Sequence, residues 1–176
     1  MSSMHGYYGS YPWSNHNSYS NQVPSPIYNP IFPEQVFRLR DYGPEPFVVD
    51  IEAAARQNTA FRLALWTGNH LQLTLMHVNV GEDIGLEIHP GLDQFLRVEE
   101  GQGIVRMGDR KDKLDFQAPV CQGFAIFIPA GKWHNIYNTG WQPLKLYSIY
   151  APPQHPKGTV HATKAIALAV EGEHKS

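Results

Sequence analysis

The sequence predicts an all-β fold, a sandwich or barrel of short strands with minor short helices. Three observations carry this reading. From residue 61 onward, runs of β-branched, aromatic and alternating apolar residues recur at close, even spacing. Gly, Pro, Asn and Asp separate the runs, leaving no room for the crossover helices of βαβ units. Charged residues are 17% of the chain, below the usual level of about a quarter, and aromatic residues are plentiful. At 176 residues the chain is long enough for one domain with a real core and too short for two comfortable ones.

Taken in order, residues 1–33 stand apart. "MSSMHGYYGSYPWSNHNSYSNQVPSPIYNP" holds no Asp, Glu, Lys or Arg and no apolar periodicity, which predicts a flexible, disordered tail. A neutral Tyr-rich tract can also serve as an adhesive segment, and its composition resembles tails of bacterial spore-coat proteins. Residues 34–60 lead into the barrel: "PFVVD" reads as a short strand, and Asp50 caps a helix through "IEAAARQN" that ends near Asn58. Residues 61–153 form the barrel, with strands expected over "FRLALWTG", "LQLTLMHVNV", "LEIH", "QFLRVEEG", "GIVRMGD", "KLDFQA", "GFAIFIPA", "WHNIYNTG" and "LKLYSIYA". Residues 154–176 form a C-terminal tail in which a short helix starts near Thr163.

Composition removes several classes of function. The net charge is −2, without a Lys/Arg cluster, so no nucleic-acid partner is expected. No apolar run approaches the roughly 20 residues that span a bilayer, and no secretory leader is evident. A soluble, cytoplasmic protein is expected, with the spore coat as the destination if the tail directs it there. The single cysteine, Cys121, excludes an intrachain disulfide and reads as a small apolar residue at a strand edge.

The informative stretch is "GFAIFIPAGKWHNIYN". Gly123 permits the turn into a strand, and Pro129 ends that strand where no ladder donor is needed. Gly131 takes the following tight turn. His134 then enters the next strand facing inward, with Ile136 and Asn138 on its face by the period of two. The spacing Gly123-Pro129-Gly131-His134-Asn138 matches the second motif of the cupin superfamily at every defining position. The chain from Phe61 to Pro153 therefore resembles a small single-domain cupin, of the type-2, phosphomannose-isomerase-like kind, and the resemblance implies a jelly-roll (double-stranded β-helix) barrel. Gly81, His89 and Gly101 occupy the positions of the first motif's opening Gly, second His and closing Gly. Glu87 stands where that motif has its first His, and Gln94 where it has Glu.

The resemblance thus implies a metal set of Glu87, His89, Gln94 and His134. Glu87 and His89, two apart, share one face of a strand. Gln94 faces inward if the register holds, and a slip of one residue would present Asp93 instead. The total charge of the set, −1, equals that of three imidazoles and a carboxylate. Glu87, His89 and His134 alone make a two-His-one-carboxylate trio of the kind that holds non-haem iron, and one divalent Fe, Mn, Ni, Co or Zn ion suits it. Gln94 either ligates directly or hydrogen-bonds a metal-bound water. The alternative is a barrel without metal, its polar residues bonded around water.

Other side chains read as structural. His155 and His161 read as surface histidines near a Pro-rich turn, though the tail that carries them could fold over the barrel mouth. His77, Trp133 and Phe95 read as strand or packing residues, and His5 and His16 belong to the N-terminal tail. Tyr147 and Tyr150 lie on opposite strand faces, so at most one looks inward. Two functions follow: a metal-dependent enzyme of dioxygenase or isomerase type acting on a small organic molecule, or a non-catalytic ligand-binding or structural protein. Pairing through sheet edges would give a homodimer.

Overall fold

The structure, a computed structural model, describes residues 38–173. The expected tail over residues 1–33, with His5 and His16, lies outside the described residues. A short helix α1 (Ile51–Gln57) leads into β1 (Arg62–Thr67), β2 (Gln72–Val78), β3 (Asp93–Glu100), β4 (Gln102–Gly108), β5 (Phe116–Cys121), β6 (Ala125–Ile128), β7 (Trp133–Asn138) and β8 (Leu144–Ala151). A two-residue β9 (Val160–His161) and a helix α2 (Lys164–Glu173) follow. The strands form a six-stranded sheet in the order β6-β3-β8-β2-β1-β9 and a three-stranded sheet in the order β5-β4-β7, all antiparallel. Together they make the jelly-roll barrel.

The inner faces of both sheets meet in one apolar cluster that includes Met76, Leu96, Val98, Val105, Ile136, Leu144 and Leu146. Side-chain alternation explains it: on β8, Leu144, Leu146, Ser148 and Tyr150 point inward, while Tyr147 joins the outer face. Leu146 is fully buried at the centre of this cluster. Leu146→Ala is expected to cost about 2–5 kcal/mol in chemical denaturation, the range for a large buried side chain lost to a cavity.

Over β1 and β2 the outer face of the large sheet is also covered. Asp50 caps α1 by accepting the Ala53 N–H at 3.0 Å, and the small side chains of Ala54 and Ala55 let the helix lie close over Leu63, Leu65 and Leu75. "PFVVD", expected as a strand, makes no ladder. Phe47 stacks on Tyr42 at 4.3 Å, the Trp66 indole donates to the Glu45 carbonyl at 2.8 Å, and Val48 is 97% exposed. Among the described residues no strand pairs with it, and these contacts set its path.

Three further expectations shift. "LEIH" is not a regular strand: it holds one isolated bridge to β7, Glu87↔His134, and a second, Asp83↔Tyr137, precedes it. Gly85, at φ +95° with its N–H held by Asp83 at 2.7 Å, breaks the ladder between them. The strand expected at "KLDFQA" starts at Phe116, because Arg110 and Lys113 close a turn ahead of it. Val160 and His161 pair with β1 before α2 begins, and Thr163 Oγ1 accepts the Ile166 N–H at 3.3 Å as the expected cap. Among the described residues, no helix is long and apolar enough to cross a membrane.

Candidate metal centre

His134 lies at the start of β7, just after the turn at Gly131. That glycine has φ +79°, where a side chain would be strained, and its N–H donates to the His89 carbonyl at 2.9 Å. One turn therefore ties the His89 segment to the His134 segment. Two residues from His89, the Glu87 N–H donates to the His134 carbonyl at 3.1 Å, and the His134 N–H returns to Glu87 at 2.9 Å. The backbone pairing puts all three side chains into the barrel.

Their ligand atoms all lie within 4.8 Å of one another. His134 Nε2 is 3.6 Å from one Glu87 oxygen, and His89 Nε2 is 3.8 Å from the other. His134 Nδ1 faces the Lys132 carbonyl at 2.9 Å; donating to it places the proton there and leaves the Nε2 lone pair turned inward. His134 is fully buried and His89 nearly so, yet both Nε2 atoms and Glu87 Oε1 have no hydrogen-bond partner among the described residues. Buried polar atoms are ordinarily satisfied, so three unpartnered ligand atoms this close together call for a cation. Bonds of about 2.1 Å to one ion in tetrahedral geometry would set neighbouring ligand atoms about 3.4 Å apart, a few tenths of an ångström closer than the 3.6 and 3.8 Å here. The residues fit a divalent ion.

Electrostatics agree. Burial pushes the Glu87 carboxyl up, but its contacts with His134 and His89 and the nearby Arg62 charge outweigh that and hold it well below the usual carboxylate range. Arg62, 1% exposed, lies 3.7 Å from Glu87 and enters from β1. Nothing in the sequence had pointed to it.

Gln94, in the expected inward register with Leu96 and Val98, is buried. Its Nε2 donates to Ser148 Oγ at 2.8 Å, and its Oε1 has no partner. Asp93, the reserve residue, is exposed and accepts the Ala130 N–H at 2.9 Å, so it takes no part in the cluster. Of the two tyrosines, Tyr150 is the inward one: fully buried, it meets the His89 ring edge-on at 5.6 Å. Burial pushes its phenol up to about 12 against the opposing pull of Arg62, so it stays protonated. Tyr147 packs on the outer face near Phe95, whose ring also meets Phe127. His77 lies near Asn79, and Trp133 lies beneath the Lys111 ammonium, both outside the cluster. Cys121 is exposed at the end of edge strand β5.

His155 and His161 are not surface histidines. After β8 the chain turns back across the barrel mouth, where Gln72 clamps the His155 backbone through both its amide groups at 2.8 and 2.9 Å. The His155 ring meets Tyr150 edge-on at 5.2 Å, and His161 is 7% exposed beside Arg62. Burial, with Arg62 adding, pulls the His155 imidazole down to about 3. Between pH 6.5 and about 3 the unfolded chain takes up a proton that folded His155 refuses, so stability falls as the pH drops, by up to about 1.4 kcal/mol per pH unit. His155→Gln is expected to flatten this slope in denaturation series at pH 7 and pH 5.

Comparison with known proteins identifies the family of the fold. Residues 74–150 match the cupin domain. The protein YrkC of Bacillus subtilis (strain 168) is 65% identical over 133 residues, covering 76% of this chain and 72% of that protein. The protein L612 of Acanthamoeba polyphaga mimivirus is 40% identical over 115 residues, covering 65% of this chain and 70% of that protein. The crystal structure of BH2720 from Bacillus halodurans is similar with a TM-score of 0.73 and 70% identity, over 74% of this chain and 98% of that one.

Proposed function

The chain belongs to the cupin family, and on that premise we propose that it binds one divalent transition-metal ion and acts as an enzyme on a small organic molecule. The observation that carries this reading is the convergence of three buried, otherwise unpartnered ligand atoms from Glu87, His89 and His134. When bound, an Fe, Mn, Ni, Co or Zn ion would supply Lewis acidity, and a redox-active one electron transfer as well. Gln94 faces the same interior, as a further ligand or as a partner for a metal-bound water.

A dioxygenase-type reaction suits the trio better than an isomerase-type one. A three-residue set leaves coordination positions open, whereas an isomerase needs a separate proton carrier, and the Tyr150 phenol is too weak an acid to serve as its base form near neutrality. The test is oxygen uptake by Fe(II)- and Zn(II)-loaded protein across a panel of small organic acids. Uptake with iron and none with zinc is expected. Inert protein in both forms, with Glu87→Ala cells unaltered in phenotype, would return the barrel to a non-catalytic ligand-binding or structural role.

We also propose that a second copy of the chain pairs at the edges of β5 and β6. Phe116, Phe124 and Phe127 are exposed there around a cleft of about 300 Å³, and β6 is the last strand of its sheet. Light scattering is expected to give a dimer for the parent chain and a monomer for Phe127→Glu; a monomeric parent contradicts the pairing.

A further inference from the structure

Facing the metal ligands, the inner surface of the large sheet changes character along its length. At one end it is apolar, through Met76, Leu96, Leu144 and Leu146. Toward the mouth, two cross-strand rows turn polar. Gln94, Tyr150 and Gln72 lie in register across β3, β8 and β2, and Ser148 and Thr74 lie in register one step deeper. All five are 3% exposed or less.

The hydrogen bonds within these rows do not close. Gln72 is committed to the His155 backbone and to Thr67, and the Gln94 amide N–H is given to Ser148. Ser148 accepts that bond and keeps its own proton to give. Tyr150 Oη and Thr74 Oγ1 are buried with no hydrogen-bond partner among the described residues. Thr74 and Ser148 lie close enough to the phenol to favour its ionised form, but neither makes a well-shaped hydrogen bond with it. An unsatisfied buried hydroxyl destabilises the fold, and Phe or Val would fill the same space without that cost. Two orphan hydroxyls and a third with a spare proton, beside the His89 ring, make a wall that meets a ligand.

The wall is rich in donors. Its three hydroxyls all carry protons, against the one bare amide oxygen of Gln94, and the Arg62 guanidinium projects from the neighbouring β1 on the same side of the sheet. Glu87 belongs to the metal cluster and lies 3.7 Å from Arg62; Asp83 is paired with Lys164 at 2.8 Å and Glu99 with Arg97 at 2.5 Å. A divalent ion held by Glu87 and two neutral imidazoles would carry a net charge of +1. Such surroundings favour an anionic acceptor over a neutral or cationic ligand.

We propose that Tyr150, Ser148 and Thr74 form the substrate wall of this barrel and select a small organic carboxylate. Its oxygens accept hydrogen bonds from the three hydroxyls while the molecule lies next to the Glu87, His89 and His134 cluster. The inference rests on the metal-dependent reading above.

The full-length protein loaded with Co(II) tests both, because the visible bands of cobalt report ligands in its surroundings. Acetate is expected to shift the bands saturably, and acetamide, its neutral counterpart, to bind at least tenfold more weakly. Tyr150→Phe is expected to weaken acetate about tenfold or more, the loss expected of a hydrogen bond to a charged acceptor, while Co(II) affinity holds. If Tyr150→Phe does not fold, Thr74→Val carries the same comparison. Equal binding of acetate and acetamide, or unchanged acetate affinity in a folded, cobalt-loaded variant, overturns the substrate wall alone. A parent chain that takes up no Co(II) overturns the metal reading and this inference with it.

Discussion

Replacing His134 by alanine is expected to weaken divalent-metal binding by well over 100-fold. Losing a residue that merely supports a metal ligand already costs 10–100-fold in many sites, and His134 is one of three direct donors. Its Nε2 is turned inward by the Nδ1 contact with the Lys132 carbonyl, and no other described His, Cys, Asp or Glu joins the cluster to replace it. Isothermal titration of the parent and the variant with Zn(II) measures the change. The variant also leaves a cavity in a fully buried position, so His134→Gln, which better preserves volume, serves as the control. Equal affinities in parent and variant would remove His134 from the site.

Metal should also stabilise the fold. At a free-ion concentration of 100 Kd the gain is about 2.7 kcal/mol, which for a domain of this size corresponds to a rise in Tm of roughly 5–10 °C. Scanning calorimetry with and without Zn(II) or Mn(II) checks it. The gain should shrink in acid, since histidines ligate as neutral imidazoles and binding releases protons. Glu87 does not set that acid limit. Its folded pKa is lowered, so its contribution is present above the unfolded value near 4.5 and is lost only as the pH falls through the lower folded value. A Tm unmoved by every ion, or moved equally in His134→Gln, would contradict the site.

How much of this was legible in the chain varies residue by residue. His134 could be read because a turn, a strand and an inward face follow directly from Pro129, Gly131 and the period of two. Glu87 and His89 could be paired from their spacing alone, and Gln94 could be preferred to Asp93 because Leu96 and Val98 share its face. That "LEIH" would shrink to one bridge could not be foreseen, since Gly85 separates it from the Asp83 bridge through its own conformation and the Asp83 bond. Arg62 was hidden by its neighbours. Alternation with Leu63 and Leu65 points it away from an apolar face, which ordinarily means solvent. Here that apolar face packs beneath α1, on the outside of the sheet, and Arg62 is left facing the barrel interior. His155 and His161 were hidden for a related reason. Their positions depend on Gln72 and β1, about 80 to 100 residues earlier, and no local pattern encodes such a contact.

The most direct test is an anomalous-diffraction experiment on crystals of the protein grown with Mn(II) or Zn(II). A single strong peak about 2.1 Å from Nε2 of both histidines and from a Glu87 oxygen is the expected result. A map without density among these three side chains, under conditions that saturate other surface sites, would mean that the barrel does not hold a metal.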